Sequence, residues 1–418
     1  MPHTLSKLNK QTLHSAKTLT LLTSAAIVTG CGGATQMPID IDAEQNLSFY
    51  DDAPLESTPL SQDWTCSSFI YENDVWVRTF YQGGEKFDFR IGPGGVIAEL
   101  RDTQDNYAAL LSPSYKGEPT DRVVQWTWWS NSLVNMNPTL PDYEWRFNVT
   151  QAGTFESVIA PTFKVEMNSP SCQVDVYSEP QDQWKSEQSA IMAGGFTART
   201  RYQIAKDGAI IIRRTLLVGQ STFAGKPSPL ANEYVEAWTP FARAKMDSVA
   251  FSLTENGSAN EWYQAGNNLP SYPFIDVTST PGYAVSFSAA NPTSNAAVGL
   301  VYGKASPCYH QNNTCEQEGS YVLNLMEWDT GVGILPGLTL PNVMPGDLLD
   351  SYIVLQPSHG LDGTLYQNLE YWANKVPAPR LFRANADIAE PLASTIKSLQ
   401  SLQGGSGQRT VHLAPLVE

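Results

Sequence analysis

The chain has 418 residues, enough to bury a large core, and carries 26 Lys+Arg against 42 Asp+Glu, a formal net charge of −16. That balance argues against nucleic acid as a partner, because such binding rests on neutralising phosphates with Lys and Arg. It also argues against a densely anionic polymer unless a local basic groove overrides the average. No phosphate-loop, nucleophile-elbow or HExxH signature occurs, so neither a cofactor nor a metal is expected.

Residues 1–30 have the pattern of a leader. Lys7, Lys10 and Lys17 precede an apolar run from Leu19 to Val28, which ends in Val28-Thr29-Gly30-Cys31. The run is shorter than the ~20 apolar residues needed to span a bilayer, and a basic start with small residues before a break describes a secretory signal peptide. With a cysteine after the break, the motif resembles a bacterial lipobox. That resemblance implies diacylation of Cys31, and Gly32 in the next position implies the outer membrane. Membrane contact is then through the lipid anchor alone, since two or three acyl chains hold a protein stably.

Residues 31–60 are acidic and nearly free of periodic apolar positions, which reads as a tether. From residue 61 to 380 short β-like runs follow one another with no Pro- or Ser-rich linker, and a single β domain is expected. Val75–Tyr81, Phe87–Ile91 and Val123–Trp129 are rich in aromatic and β-branched residues. Thr197–Ile204 alternates, Asp207-Gly208 offers a hairpin turn, and Ala209–Val218 continues as a strand. Further strands are expected at Tyr234–Trp238, Ser248–Leu253, Tyr283–Ser288, Ala297–Tyr302, Tyr321–Trp328 and Leu348–Leu355. Helical periodicity is confined to Leu365–Lys375 and to Ile388–Leu402, the latter within a C-terminal tail, 381–418.

With Cys31 acylated, four cysteines remain: Cys66, Cys172, Cys308 and Cys315. An even number in an exported chain favours disulfides. Cys308 and Cys315 enclose a short polar loop and are paired here, which leaves Cys66 with Cys172. A zinc site using His310 between Cys308 and Cys315 is the weaker alternative, because CxxC-type spacing is absent.

Ile91-Gly92-Pro93-Gly94-Gly95-Val96-Ile97-Ala98-Glu99-Leu100-Arg101 resembles the opening strand of the galactose mutarotase-like superfamily. The hairpin Arg201–Arg213 and the turn Val343-Met344-Pro345-Gly346-Asp347 resemble its long strands and a late turn. The resemblance implies an all-β fold, a large antiparallel supersandwich-like β-sandwich with short peripheral helices, and a concave face that binds a carbohydrate polymer or oligosaccharide. None of His310, His359 and His412 sits in a motif that aligns with the epimerase histidine. The expectation is therefore cleavage, by glycosidic hydrolysis or by β-elimination, with a non-catalytic glycan-binding or structural lipoprotein as the alternative.

Candidate residues follow from those chemistries. Trp126, Trp128, Trp238 and Trp328 are aromatic surfaces that either stack on pyranose rings or fill the core. Glu236 shares strand parity with Tyr234 and Trp238, while Glu327 and Asp329 lie two apart, where like charges raise one pKa as general acid work requires. Paired carboxylates serve hydrolysis at ~5–5.5 Å for retention or ~6.5–9.5 Å for inversion; solvated surface acids are the plainer reading. For elimination, Tyr309 or His310 would remove a proton while Arg199 and Arg201, with Arg213, neutralise a uronate carboxyl. A salt-bridged sheet surface explains those arginines equally well, and His359 reads as a loop residue.

Overall fold

In the computed structural model, the strand Ile210–Leu217 lies inside a twelve-stranded sheet, between Thr197–Ile204 and Asp347–Ser358. Its start, Ile210-Ile211-Ile212, is apolar at every position because both faces of the sheet are covered. Ile210 and Ile212 join one core with Phe87, Phe89, Leu100 and Val176, whereas Ile211 joins a second core with Leu365, Leu369 and Trp372. The split follows from the two-residue period of a strand. Each such side chain contributes about 1.5–3 kcal/mol on burial. On the paired strand the same division holds, with Ile353 and Leu355 in the first core and Val354 in the second.

The structure describes residues 64–71, 74–111, 114–115, 118–119, 125–130, 148–151, 154–155, 158–159, 162–168, 172–179, 181–182, 191–194, 197–217, 220–223, 226–227, 233–242, 246–252, 259–264, 274–276, 282–288, 296–303, 308–311, 314–318, 320–328, 331–340 and 346–383. The expected leader, the tether and the 388–402 helix lie outside them. The expected all-β class is what the described residues adopt. Strands dominate, and one α-helix and one 3-10 turn accompany them.

The first core is the filling of a sandwich. A five-stranded antiparallel meander, Thr65–Tyr71, Asp74–Tyr81, Gly84–Ile91, Ile97–Asp102 and Ala108–Ala109, supplies Val75, Val77, Phe87, Phe89 and Leu100 to it. Opposite these lie residues of the twelve-stranded sheet, among them Val176, Tyr202, Ile212 and Leu355. A seven-stranded sheet reaches the same core through Ile334.

The glycine-rich turn fastens the two layers. Gly94 and Gly95 have φ of 69° and 75°, the left-handed region that favours glycine. A Cβ on Gly95 would sit 3.1 Å from Val176, so the turn also needs glycine to lie this close to the large sheet. There Gly94 N donates to Thr162 Oγ1 at 2.8 Å, and Ser178 Oγ donates to Gly94 O at 2.9 Å. The disulfide Cys66–Cys172 adds a covalent tie between the same layers, with Cα atoms 5.8 Å apart, and is the expected partnership. Cys308 and Cys315 have side chains outside the described set; on the backbone, Cys315 pairs with His310.

The helix Gly363–Lys375 covers the other face. Asp362 caps it by accepting from Leu365 N at 2.8 Å. Leu365, Asn368, Leu369, Trp372 and Ala373 are its buried residues, the i, i+3, i+4, i+7 spacing of a one-sided helix. Gly299 on the strand beneath is a contact point, since a Cβ there would collide with Leu369 Cδ2.

Candidate functional site

The aromatic and acidic residues singled out in the sequence meet, on the backbone, in the seven-stranded sheet. Strand Gln125–Ser130 pairs with Glu233–Ala242 so that Trp129 stands opposite Tyr234, Thr127 opposite Glu236, and Gln125 opposite Trp238. Gly331–Leu340 flanks the other side and sets Gly337 opposite Glu236. Rows two residues apart belong to one face of a sheet. Glu236 therefore occupies a row with Thr127 and Gly337, between the Trp129/Tyr234 row and the Gln125/Trp238 row. Trp126 and Trp128 pair with Ala237 and Val235 and occupy rows of the other parity.

Strand Ser320–Trp328 lies beyond Gly331–Leu340, with Trp328 opposite Gly331 and Glu327 opposite Val332. Val332 in turn faces Phe241, five residues from Glu236 on its strand. With two inter-strand steps added, the backbone positions of Glu236 and Glu327 are about 19 Å apart. The sheet thus does not make neighbours of them. Asp329 lies outside the described residues. Tyr309 and His310 belong to a different sheet, on Cys308–Gln311, where they pair in parallel with Leu381 and Phe382 at the margin of the twelve-stranded sheet.

The arginines are held by carboxylates that the sequence reading did not name. Asp175, Arg201, Arg213 and Tyr352 form one row across four strands, and Tyr177, Arg199, Thr215 and Asp350 form the same-face row beside it. Arg201 binds Asp175 bidentately, Nε to Oδ1 at 2.9 Å and Nη2 to Oδ2 at 3.1 Å, and Arg199 Nε reaches the same Oδ1 at 3.0 Å. Arg213 makes the equivalent pair with Asp350 at 2.9 and 3.1 Å, while Arg380 Nη2 approaches Asp350 at 3.5 Å. The guanidiniums of Arg199 and Arg213 lie 5.9 and 5.4 Å from the rings of Tyr177 and Tyr352. Planar, fixed donors of this kind suit recognition of oxygen-rich ligands, and they also lock the sheet surface. No sequence pattern could pair Arg213 with Asp350, because 137 residues separate them.

Two further ionisable groups, Arg214 and Tyr202, are buried in the sandwich, and a third, His359, is half-buried beside it. Arg214, on the opposite face from Arg213, opposes the burial that pushes the Tyr202 hydroxyl well above its ordinary value. Tyr202 donates that hydroxyl to Gly95 O at 2.5 Å. His359, just past the end of Asp347–Ser358, stacks on Phe87 with centroids 4.7 Å apart. Its Nδ1 lies 3.4 Å from Asp102 Oδ2, and its Nε2 is buried without a partner among the described residues. Among the described residues no group of three or more His, Cys, Asp or Glu is arranged to hold a metal, and no helix is long and apolar enough to cross a membrane.

No family model matches the chain, and no curated protein matches it in sequence. Solved structures with similar arrangements include galactose mutarotase-like epimerases and heparin lyases. Galactose 1-epimerase from Lactobacillus acidophilus NCFM has 8% identity and a TM-score of 0.35, over 72% of this chain and 100% of that one. The heparinase III BT4657 gene product has 7% identity and a TM-score of 0.31, over 71% of this chain. A copper-containing benzylamine oxidase from Hansenula polymorpha has 11% identity and a TM-score of 0.31, over 82% of this chain and 65% of that one. This chain spans 37% of the heparinase III, and identities this low assign it none of these activities.

Proposed function

We propose that this is an exported, lipid-anchored, carbohydrate-active protein that binds a glycan along the seven-stranded sheet and cleaves it, with Glu236 as the carboxylate at the point of cleavage. The observation that carries the reading is the register of Gln125–Ser130 on Glu233–Ala242. It centres Glu236 between an aromatic row, Trp129 with Tyr234, and a mixed row, Gln125 with Trp238. Aromatic residues beside hydrogen-bonding groups and a carboxylate are what a pyranose ring requires, since its faces are apolar and its rim is polar. Gly337 beside Glu236 adds no side chain to that row.

The cellular address rests on Lys7, Lys10, Lys17 and the Val28-Thr29-Gly30-Cys31 motif. The Cys66–Cys172 disulfide is consistent with it, because such bonds persist in oxidising compartments. Mass spectrometry of the mature N-terminus tests the anchor: an acylated Cys31 is expected, and cleavage elsewhere contradicts it.

A non-catalytic glycan binder is the second reading, favoured by the separation of the Glu236 and Glu327 rows, which among the described residues leaves no second carboxylate beside Glu236 in that register. Incubation with a broad panel of polysaccharides separates the readings. New reducing ends without ultraviolet absorbance mark hydrolysis, unsaturated ends that absorb in the ultraviolet mark elimination, and retention without either product marks binding alone.

A further inference from the structure

The five-stranded sheet carries an aromatic and charged surface on the side away from the sandwich core. The row Ser68, Val77, Phe89 and Leu100 points inward, with Val77, Phe89 and Leu100 in the core. The rows on either side lie on the other face: Ser67, Arg78, Asp88 and Arg101, and Phe69, Trp76, Arg90 and Glu99, of which Trp76 and Asp88 are buried beneath their neighbours. Phe69 stacks on Trp76 at 6.3 Å and 12°, and the Arg101 guanidinium lies 4.4 Å over the Trp76 ring. Arg78 sits between two rings, 5.2 Å from Phe69 and 5.9 Å from Tyr107.

One feature of this surface stands apart from the packing: the turn that presents Tyr107. Asn106 and Tyr107 have φ of 49° and 57°, both in the left-handed region. Asparagine tolerates that conformation, but a bulky aromatic residue there is a backbone outlier. The strained ring is not buried in compensation; it is 46% exposed. Strain held at an exposed side chain points to use of that side chain.

The charges on this surface identify its occupant. Arg78 pairs with Asp88 at 2.7 Å and with Glu85 at 2.6 Å, and Glu99 holds Arg101 at 2.9 Å with Arg90 at 3.8 Å. Cations and anions therefore offset one another locally, on a chain whose net charge is −16. Such a face selects neither a polyanion nor a polycation. It offers stacking surfaces and fixed hydrogen-bonding groups.

We propose that the outer face of the five-stranded sheet is a non-catalytic binding surface for a neutral polysaccharide, with Phe69 and Tyr107 as the stacking rings and the more exposed Arg78, Glu85 and Arg101 groups as hydroxyl contacts. The ligand class follows from the carbohydrate reading above; the site lies on a different sheet from Glu236 and is tested separately. A neutral glycan polymer is the expected occupant because its sugar faces stack on rings and its hydroxyls need no counter-charge.

The test is depletion of the full protein from solution by insoluble cellulose, xylan and β-1,3-glucan at low and high salt, with wild type, Tyr107→Asn and Phe69→Ala. At least one of these neutral polymers is expected to retain the wild type with little salt dependence. Tyr107→Asn should weaken retention by about tenfold without lowering Tm, since asparagine relieves the left-handed backbone. Phe69→Ala should weaken it similarly, and neither change should alter the products or rate of cleavage found with soluble glycans, which the reading above assigns to the seven-stranded sheet. The proposal is overturned if no neutral polymer retains the protein, if retention is confined to charged polymers and collapses with salt, or if Tyr107→Asn binds as wild type. It is overturned equally if Tyr107→Asn lowers Tm, which would make the ring a packing element.

Discussion

Trp372 donates its indole N–H to Asp207 Oδ2 at 2.8 Å, joining the helix Gly363–Lys375 to a hairpin turn 165 residues earlier. Ala209 N donates to the other carboxylate oxygen at 3.1 Å, and Gln356 Nε2 donates to the Asp207 carbonyl at 3.0 Å. One small turn thereby fixes the seat of the helix.

Asp207 is almost fully buried, and burial raises its carboxyl above the ordinary 3.8 although the donors from Ala209 and Trp372 pull the other way. A group whose folded pKa lies above its unfolded value contributes stability that is complete below the unfolded value and is lost as pH rises through the folded one. The wild type should therefore lose a component of stability as pH rises above 3.8. Asp207→Asn should remove that component. Trp372→Phe should cost about 1–3 kcal/mol by leaving a buried acceptor unpaired. Denaturant titrations across pH measure all three.

The disulfide gives a second prediction. Cys66 and Cys172 are 106 residues apart, and loop-closure entropy for such a span is about 4–5 kcal/mol. Replacing both with serine should lower the unfolding free energy by an amount of that order, with the strand Thr65–Tyr71 the first to lose amide protection in hydrogen exchange. An unchanged denaturation midpoint would show that the tie contributes nothing.

Asp350 is the most exacting charge in the large sheet. It is 2% exposed and receives the bidentate Arg213 together with Arg380. Asp350→Ala should destabilise by about 1.5–3 kcal/mol, because it removes the charge-assisted hydrogen bonds of Arg213 and Arg380, which are themselves only partly buried. Arg213→Ala should cost less if Arg380 closes on the freed carboxylate. Thermal unfolding of the two single variants and the double variant gives the coupling.

Those ion pairs also mark where the sequence stops being legible. Thr197–Ile204, the Asp207-Gly208 turn, Ile210–Leu217 and the helix ending at Lys375 could be read locally, because strand alternation, turn chemistry and helical spacing are properties of neighbours in the chain. Gly331–Leu340 does not read as a strand: Gly331, Gly333, Pro336 and Gly337 disfavour one, and it forms because partners on both sides pair with it. The period-two arginines at 199 and 201 are visible, but their shared partner Asp175 lies on Gln173–Ser178, and nothing local says which strand that one pairs with. In the same way Glu236 and Trp238 were legible as a stretch, while their neighbours Thr127 and Gln125 depend on a pairing more than a hundred residues long.

Turnover of Glu236→Gln against wild type, on whichever glycan the panel shows to be cleaved, tests the central claim most directly. The account predicts a loss of about 10²-fold or more in the rate of product formation, with an unfolding midpoint and glycan retention close to wild type. Full activity in Glu236→Gln, or no product from wild type on any glycan, would contradict it.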